Sequence, residues 1–324
     1  TVRFAVPTTS LVKLRNLPHS FCNLTFAGRA EYAYSLRFET RELLIHKNLT
    51  LEEEATLLLG GIPNEPELHD LAAFLRKKLW VKGNLTVKPQ AALRVIEGKL
   101  STAQDPSFPN STTDPFFFPE NKGHILELGG KLSNEGVIRL HNFDELDFSR
   151  PSTFRNTVVV LASGATSVQW ECAGQTDLYR LFVRKEGGAI LTLNATQSDN
   201  FILWAGNRDS KIRSLNLLAG TLRLTGKTAI ASLAEEGHYT LPQGTTLLLD
   251  SPDALLVFKA QNAAQVADIY RLAPVNIRGV NENPTVLTSA FLHLDGGTLH
   301  IKQGTVALGD GAILTSGDHH LGQL

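Results

Sequence analysis

A short phrase recurs along this chain: a glycine or other small residue, then threonine or alanine, then apolar residues at alternate positions. It occurs as Ala55-Thr56-Leu57-Leu58-Leu59, Ala91-Ala92-Leu93-Arg94-Val95 and Gly188-Ala189-Ile190-Leu191-Thr192-Leu193. It returns as Gly220-Thr221-Leu222-Arg223-Leu224, Gly244-Thr245-Thr246-Leu247-Leu248-Leu249, Gly297-Thr298-Leu299-His300-Ile301 and Gly311-Ala312-Ile313-Leu314. A small residue suits a tight corner, and the alternation suits a strand whose every second side chain points inward. Leu222 and Leu224 are therefore expected in the core and Arg223 in solvent. A strand this short cannot bury its apolar face alone, so the phrase demands stacking of successive units.

Further short strands are read at Leu85-Thr86-Val87, and glycine turns at Gly60-Gly61, Gly129-Gly130, Gly187-Gly188, Gly296-Gly297 and Gly309-Asp310-Gly311. Dense short strands with little helix between them point to an all-β solenoid, sandwich or barrel. The repeated phrase selects stacked short strands in a parallel β-solenoid (β-helix), with one short helical insertion. That helix is expected at about 64–80: Leu68, Leu71, Ala72, Leu75 and Leu79 fall at helical spacing behind Asn64 and Pro66. A weaker helical stretch runs from Ala263 to Tyr270. Residues 103–123, with Pro106, Pro109, Pro115 and Pro119, read as a long loop.

A longer internal similarity appears at an offset of about 157 residues. Thr9-Ser10-Leu11-Val12 resembles Thr166-Ser167-Val168-Gln169, and the segment around Leu24 resembles that around Leu181. This suggests two related modules, 1–150 and 151–324, meeting near Arg150-Pro151-Ser152.

Composition narrows the class of partner. Of 324 residues, 42% are hydrophobic, so the chain can bury a core. With 31 Lys+Arg against 32 Asp+Glu the net charge is −1, which gives no general attraction to nucleic acid or an anionic membrane. No apolar run approaches the ~20 residues of a membrane-spanning helix. The chain opens on Thr1, which reads as a processed or excised protein. Two cysteines, Cys22 and Cys172, are too few for a disulfide framework or a cysteine-rich zinc site. They read as inert thiols or as a single bridge.

Several stretches resemble repeat regions of large Bacteroidetes surface proteins. The residues that carry the resemblance are Gly83-Asn84-Leu85-Thr86-Val87 with Pro89-Gln90-Ala91-Ala92-Leu93, Gly129 to Ile138, Phe21 to Phe26 and Thr166 to Val183. Such proteins are typically cargo of the type IX secretion pathway and include adhesin-like and gliding-associated filaments. The resemblance implies a secreted or cell-surface location and a structural or adhesive role. It also implies partners among other copies or domains of a parent surface protein, with a protein or glycan ligand, and no catalytic residues or cofactors. Residues 62–80 are richer in charge and helix signal than that family. Its C-terminal sorting domain is not visible here, as would suit a fragment.

Recognisable catalytic signatures are missing: no Gly-x-Ser-x-Gly elbow, His-Glu-x-x-His, phosphate loop or dinucleotide fingerprint. Asp318, His319 and His320 could hold a metal, but adjacent histidines on a strand point to opposite faces, and a solvated terminal loop is the plainer reading. His141, Asp144, Glu145, Asp147 and Arg150 form the best enzymatic cluster, since β-helices can carry paired carboxylates for polysaccharide cleavage. The alternative function is therefore a carbohydrate-active β-helix protein: a polysaccharide lyase, a glycoside hydrolase or a carbohydrate-binding module of one. Fibre components and autotransporter-like passengers form a third class. Asp250 and Asp253 flank Pro252 and read as a turn. Five sequons, at Asn23, Asn48, Asn84, Asn110 and Asn194, read as repeat composition rather than glycosylation sites. The expected binding residues are Phe116, Phe117 and Phe118, three rings in the proline-rich loop that could supply an aromatic anchor.

Overall fold

The computed structural model describes residues 1–14, 17–34, 42–59, 78–95, 124–140, 158–203, 215–232, 239–258, 291–295, 298–308 and 313–316. Their strands wind through ten turns, each turn laying one segment on each of three faces, A, B and C. Turn 1 is β1 (Val2–Val6), β2 (Leu11–Leu14) and β3 (Ser20–Phe21); turn 2 is β4 (Leu24–Gly28), β5 (Glu31–Tyr34) and β6 (Glu42–Ile45). Turn 3 is β7 (Leu49–Leu51), β8 (Thr56–Leu59) and β9 (Lys78–Val81); turn 4 is β10 (Leu85–Val87), β11 (Ala92–Val95) and β12 (His124–Leu128). Turn 5 is β13 (Leu132–Asn134), β14 (Val137–Arg139) and β15 (Val158–Gly164); turn 6 is β16 (Val168–Cys172), β17 (Gln175–Leu178) and β18 (Arg180–Lys185).

Later strands bend around corners without ending. Turn 7 is β19 (Ile190–Ala195), β20 (Phe201–Leu203) and the first part of β21 (Leu215–Gly226), whose second part opens turn 8 before β22 (Ala229–Ser232) and β23 (Tyr239–Pro242). β24 (Thr245–Phe258) and β26 (Thr298–Leu308) each cover faces A and B of turns 9 and 10. β25 (Phe291–Asp295) and β27 (Ile313–Ser316) supply face C there.

Every strand pairing among the described residues is parallel, so like residues stack into columns. On face A, Leu24, Leu49, Leu85, Leu132, Trp170, Leu193, Leu224 and Leu249 lie in register and all are buried. Face B stacks Tyr32, Leu57, Leu93, Ile138, Thr176 and Phe201. Face C stacks Leu43, Leu79, Leu126, Val160, Leu181 and Leu215. The three columns converge on one apolar lumen. Burying each leucine or valine there contributes about 1.5–3 kcal/mol relative to exposure. Of the large exposed hydrophobics among the described residues, Val2 and Ile301 stand in the inward column of Leu24 and Leu249 in the first and last described turns, whereas Leu11 faces outward in register with exposed Glu31.

The parallel solenoid is as the sequence led one to expect. The phrases beginning at Gly188, Gly220, Gly244 and Gly297 stack directly on one another on face A, and those beginning at Ala55 and Ala91 stack on face B. Leu222 and Leu224 are buried and Arg223 points outward. The expected helix needs correction at its end. Leu79 and Trp80 belong to β9, because Leu79 is held between Leu43 and Leu126 in the face C column. Residues 60–77 and 263–270 lie outside the described residues. So does the module boundary near Arg150, although ladders run directly from turn 4 to turn 5 to turn 6 on either side of it. The offset of 157 relates strands of different faces, Leu24 on A and Leu181 on C.

The C–A corners of turns 2 to 5 permit no spare atoms. A Cβ on Gly83 would sit 2.1 Å from the Lys47 carbonyl oxygen, and one on Gly130 would sit 2.2 Å from that of Gly83. Where polar groups turn inward they are fully bonded. Asn134 Nδ2 donates to Gln175 O at 2.7 Å and Thr176 Oγ1 at 2.8 Å, while its Oδ1 accepts from Gly136 N at 3.1 Å.

Leu222→Ala is expected to lower stability by about 2–5 kcal/mol in urea unfolding, because the lumen around it is filled. Gly83→Ala should also destabilise, by backbone collision, whereas Thr86→Val on the outer side of β10 should leave the midpoint little changed. Equal effects from all three would contradict this register.

Candidate binding surface

The three corners differ sharply in how much chain they hold. From face A to B the connections are at most five residues, and from C to A at most four. From face B to C they range from one residue to 32. Every long connection between described strands leaves at this B–C corner: 60–77, 96–123, 140–157, 204–214 and 259–290. A β-solenoid tolerates insertions at a corner without disturbing the ladders on either side, and such insertions are usual sites of binding.

Phe116, Phe117 and Phe118 fall within 96–123, and His141, Asp144, Glu145, Asp147 and Arg150 within 140–157. These residues lie outside the described residues, as do Asp318, His319, His320 and Asn110. The ends of their segments are described. Val95 and His124 bound the first, and Arg139 and Val158 bound the second, in adjacent turns paired by β11–β14 and β12–β15. The two candidate segments therefore spring from roots one ladder step apart, about 4.8 Å.

Side chains beside these roots form two distinct surfaces. On face B, Arg94, Arg139 and Asp177 stack outward in one column, with Gln175 Nε2 donating to Asp177 Oδ2 at 2.5 Å. On the outside of face C, Val159, Leu161 and Phe182 make a second apolar cluster, separate from the lumen and buried, with Leu218 against it. Next to it Glu127 is nearly buried. It receives Lys78 Nζ at 2.7 Å and Ser163 Oγ at 2.7 Å. Lys78 and Lys82 also lie over the Trp80 ring at 4.5 and 4.7 Å.

Two of the described carboxylates are committed to structure. Glu127 is neutralised as above. Asp250 is clamped by Lys302 at 2.9 Å and by Arg223, and these hydrogen bonds hold its carboxyl below the usual range. Asp250 thus ties turns 8, 9 and 10 together; the turn expected around Pro252 is instead part of the continuous strand β24, in which Asp253 N donates to Ser251 Oγ at 3.4 Å. Among the described residues no group of three His, Cys, Asp or Glu could hold a metal. The small void in the lumen, lined by Leu24, Phe26, Leu43 and Leu79, is too small for water.

The sequons acquire a structural role. Asn23, Asn48 and Asn84 stack at the C–A corner: Asn23 Oδ1 accepts from Asn48 N and Nδ2, both at 3.2 Å. Asn48 Oδ1 then accepts from Asn84 N at 3.3 Å, and Asn84 Oδ1 from Lys131 N at 3.0 Å. Asn194 donates instead to Glu171 Oε2 at 2.6 Å. Both cysteines are free, Cys22 exposed in turn 1 and Cys172 buried in turn 6, where burial pushes its thiol up to about 12. No bridge joins them.

Lys185 is a residue that sequence reading missed. It sits in a charged run before Gly187-Gly188 and looks like a solvent corner, yet it is fully buried. Its Nζ donates to Ser163 O at 2.6 Å and Gly129 O at 3.3 Å, fastening the C–A corners of turns 4, 5 and 6. Only the three-dimensional stacking of β15 and β18 brings those carbonyls to it.

These observations define the class: a three-faced parallel β-solenoid with a single insertion-bearing edge. Comparison with protein families, curated proteins and solved structures finds no match to this chain.

Burial lowers the Lys185 pKa to about 8 from its ordinary 10.5. Between those values the unfolded chain binds the extra proton, so this group's contribution to stability rises with pH across that window and is flat above it. Lys185→Met should remove that rise when melting temperature is followed across the window. Free thiol titration should find Cys22 reactive in the folded protein and Cys172 only after unfolding.

Proposed function

We propose that this protein is a non-catalytic, secreted or cell-surface scaffold, a structural or adhesive repeat region whose solenoid displays binding segments from one edge. The observation that carries this reading is the confinement of long connections to the B–C corner while the other two corners are held short. An enzyme needs a few groups fixed to within a fraction of an ångström on rigid elements. A display scaffold needs a rigid rod and variable segments, and that is the division of labour between ladders and insertions here. The resemblance of its repeats to Bacteroidetes surface proteins supports the same reading, with type IX export as the route. The ligand-bearing segment in this proposal is 96–123, where Phe116, Phe117 and Phe118 supply the anchor and the prolines limit the entropy lost on ordering. Partners are other copies or domains of a parent surface protein and a protein or glycan ligand.

Carbohydrate cleavage is the second reading, favoured by the root of 140–157 lying one turn from that of 96–123. The acidic cluster of the one segment would then work beside the aromatic residues of the other.

Two experiments separate the readings. Protease treatment of intact producing cells should remove the protein if it is surface-borne. Beads coated with it should adhere to an array of proteins and uncharged glycans, and Phe116→Ser/Phe117→Ser/Phe118→Ser should abolish that adhesion with little change in thermal midpoint. If instead Asp144→Asn or Asp147→Asn abolishes turnover of a polysaccharide and the phenylalanines matter little, the scaffold reading is wrong.

A further inference from the structure

The C–A corners of turns 2 to 5 carry a set of lysines that neither the lumen nor the insertion edge uses. Lys47, Lys82 and Lys131 are all exposed there, and the corners that bear them stack turn on turn. Lys47 stacks on Gly83 and Gly130, Lys82 on Gly129, and Lys131 follows Asn84, so the three lysines project from successive corners at neighbouring positions across the ridge. On one flank, face C offers the half-exposed Trp80 with Lys78 and Lys82 against its ring. On the other flank run two polar columns: the amides of Asn23, Asn48 and Asn84, then the outward hydroxyls of Thr25, Thr50, Thr86 and Ser133.

We propose that this corner binds a linear acidic polysaccharide laid along the solenoid axis, its carboxylate or sulfate groups on Lys47, Lys82 and Lys131 and its hydroxyls along the threonine and asparagine columns. This surface is separate from the insertion edge.

Spacing and surroundings select that occupant. Successive turns are about 4.8 Å apart, so the ridge offers about one cation per turn. Duplex DNA carries a charge about every 1.7 Å and rewards much denser cation arrays. A sugar chain with one charge every unit or two suits the sparser ladder, and its hydroxyls need the neutral donors and acceptors that flank it. The far edge of face A bears Glu52 and Glu54, paired with Arg3 and Arg29, with Glu53 and Glu135, and Glu171 follows Ser133 and bounds the hydroxyl column; these carboxylates disfavour a broad polyanion. The carboxylates nearest the ridge on face C are Glu127, already neutralised by Lys78, and Glu42, 4.0 Å from the same ammonium. No apolar side chain stands on the ridge to enter a bilayer.

The test is retardation of the purified protein in native gels containing polygalacturonate, dextran sulfate or uncharged dextran, with double-stranded DNA as a competitor. Binding to one or both acidic polymers and not to dextran is expected, and which of the two binds distinguishes carboxylate from sulfate. Lys47→Gln/Lys82→Gln/Lys131→Gln should weaken it by about tenfold or more while leaving the melting temperature in place. Thr50→Val/Thr86→Val should weaken it without changing charge. The proposal is overturned by no retardation, by retardation equal in the lysine variant, or by DNA competing as well as the polysaccharide. The Phe116→Ser/Phe117→Ser/Phe118→Ser variant should retain polysaccharide binding; loss there would move the site to the insertion edge and overturn the ridge. Failure of the ridge leaves the adhesion assay untouched, so the two readings fail separately.

Discussion

Burial in this solenoid is lent by neighbours. An inward leucine in a three-residue strand such as β7 or β10 covers little of itself, and becomes inaccessible only because β4, β7, β10 and β13 hold leucines at the same height on both sides. Stability is therefore close to a sum of turn-to-turn contacts, as in other one-dimensional repeat folds. The exposed Val2 and Ile301 stand in that inward column in the first and last described turns.

This dependence dictates the corners. Parallel strands kept in register across turns require consecutive corners to have nearly the same shape. At C–A the asparagine ladder and the close approach of Gly83 and Gly130 to neighbouring carbonyls leave no room for extra residues. At A–B, Asn134 accepts from Gly136 N of its own turn and donates to Gln175 and Thr176 of the next, and the Thr228 hydroxyl donates to Thr225 O at 2.7 Å. The long connections lie instead at the B–C corner, where the chain holds up to 32 residues between strands.

Buried charge follows the same logic. Three nearly buried ionic groups span several turns: Glu127 with Lys78 and Ser163, Asp250 with Arg223 and Lys302, Lys185 with two carbonyls. Leaving any of them unpaired would cost more than the pair yields. They serve as cross-turn ties in a rod, and this fits a protein whose chemistry is presented from its corners.

The fold class was legible in the sequence because its physical cause is local. Leu222-Arg223-Leu224 after Gly220 states a corner, a strand and the direction of each side chain, and copies of the phrase imply stacking. The three-sided winding was not legible, because the phrase names a strand without naming its face: the same pattern serves face B at Ala91 and face A at Gly220. That ambiguity also explains why an offset of 157 residues joins strands from different faces. The helix signal reached too far, since Leu79 fits a helical period and a strand column equally well, and only contact with Leu43 and Leu126 decides between them. Candidate segments could be named from composition, Phe116 to Phe118 and His141 to Arg150. Their emergence from adjacent turns of one corner could not, since neighbours in the stack are tens of residues apart in the chain. Sequence alone determined that units must stack and which residues face inward. Tertiary structure decided which corners are locked, because that depends on carbonyls and amides brought within about 3 Å by register between turns.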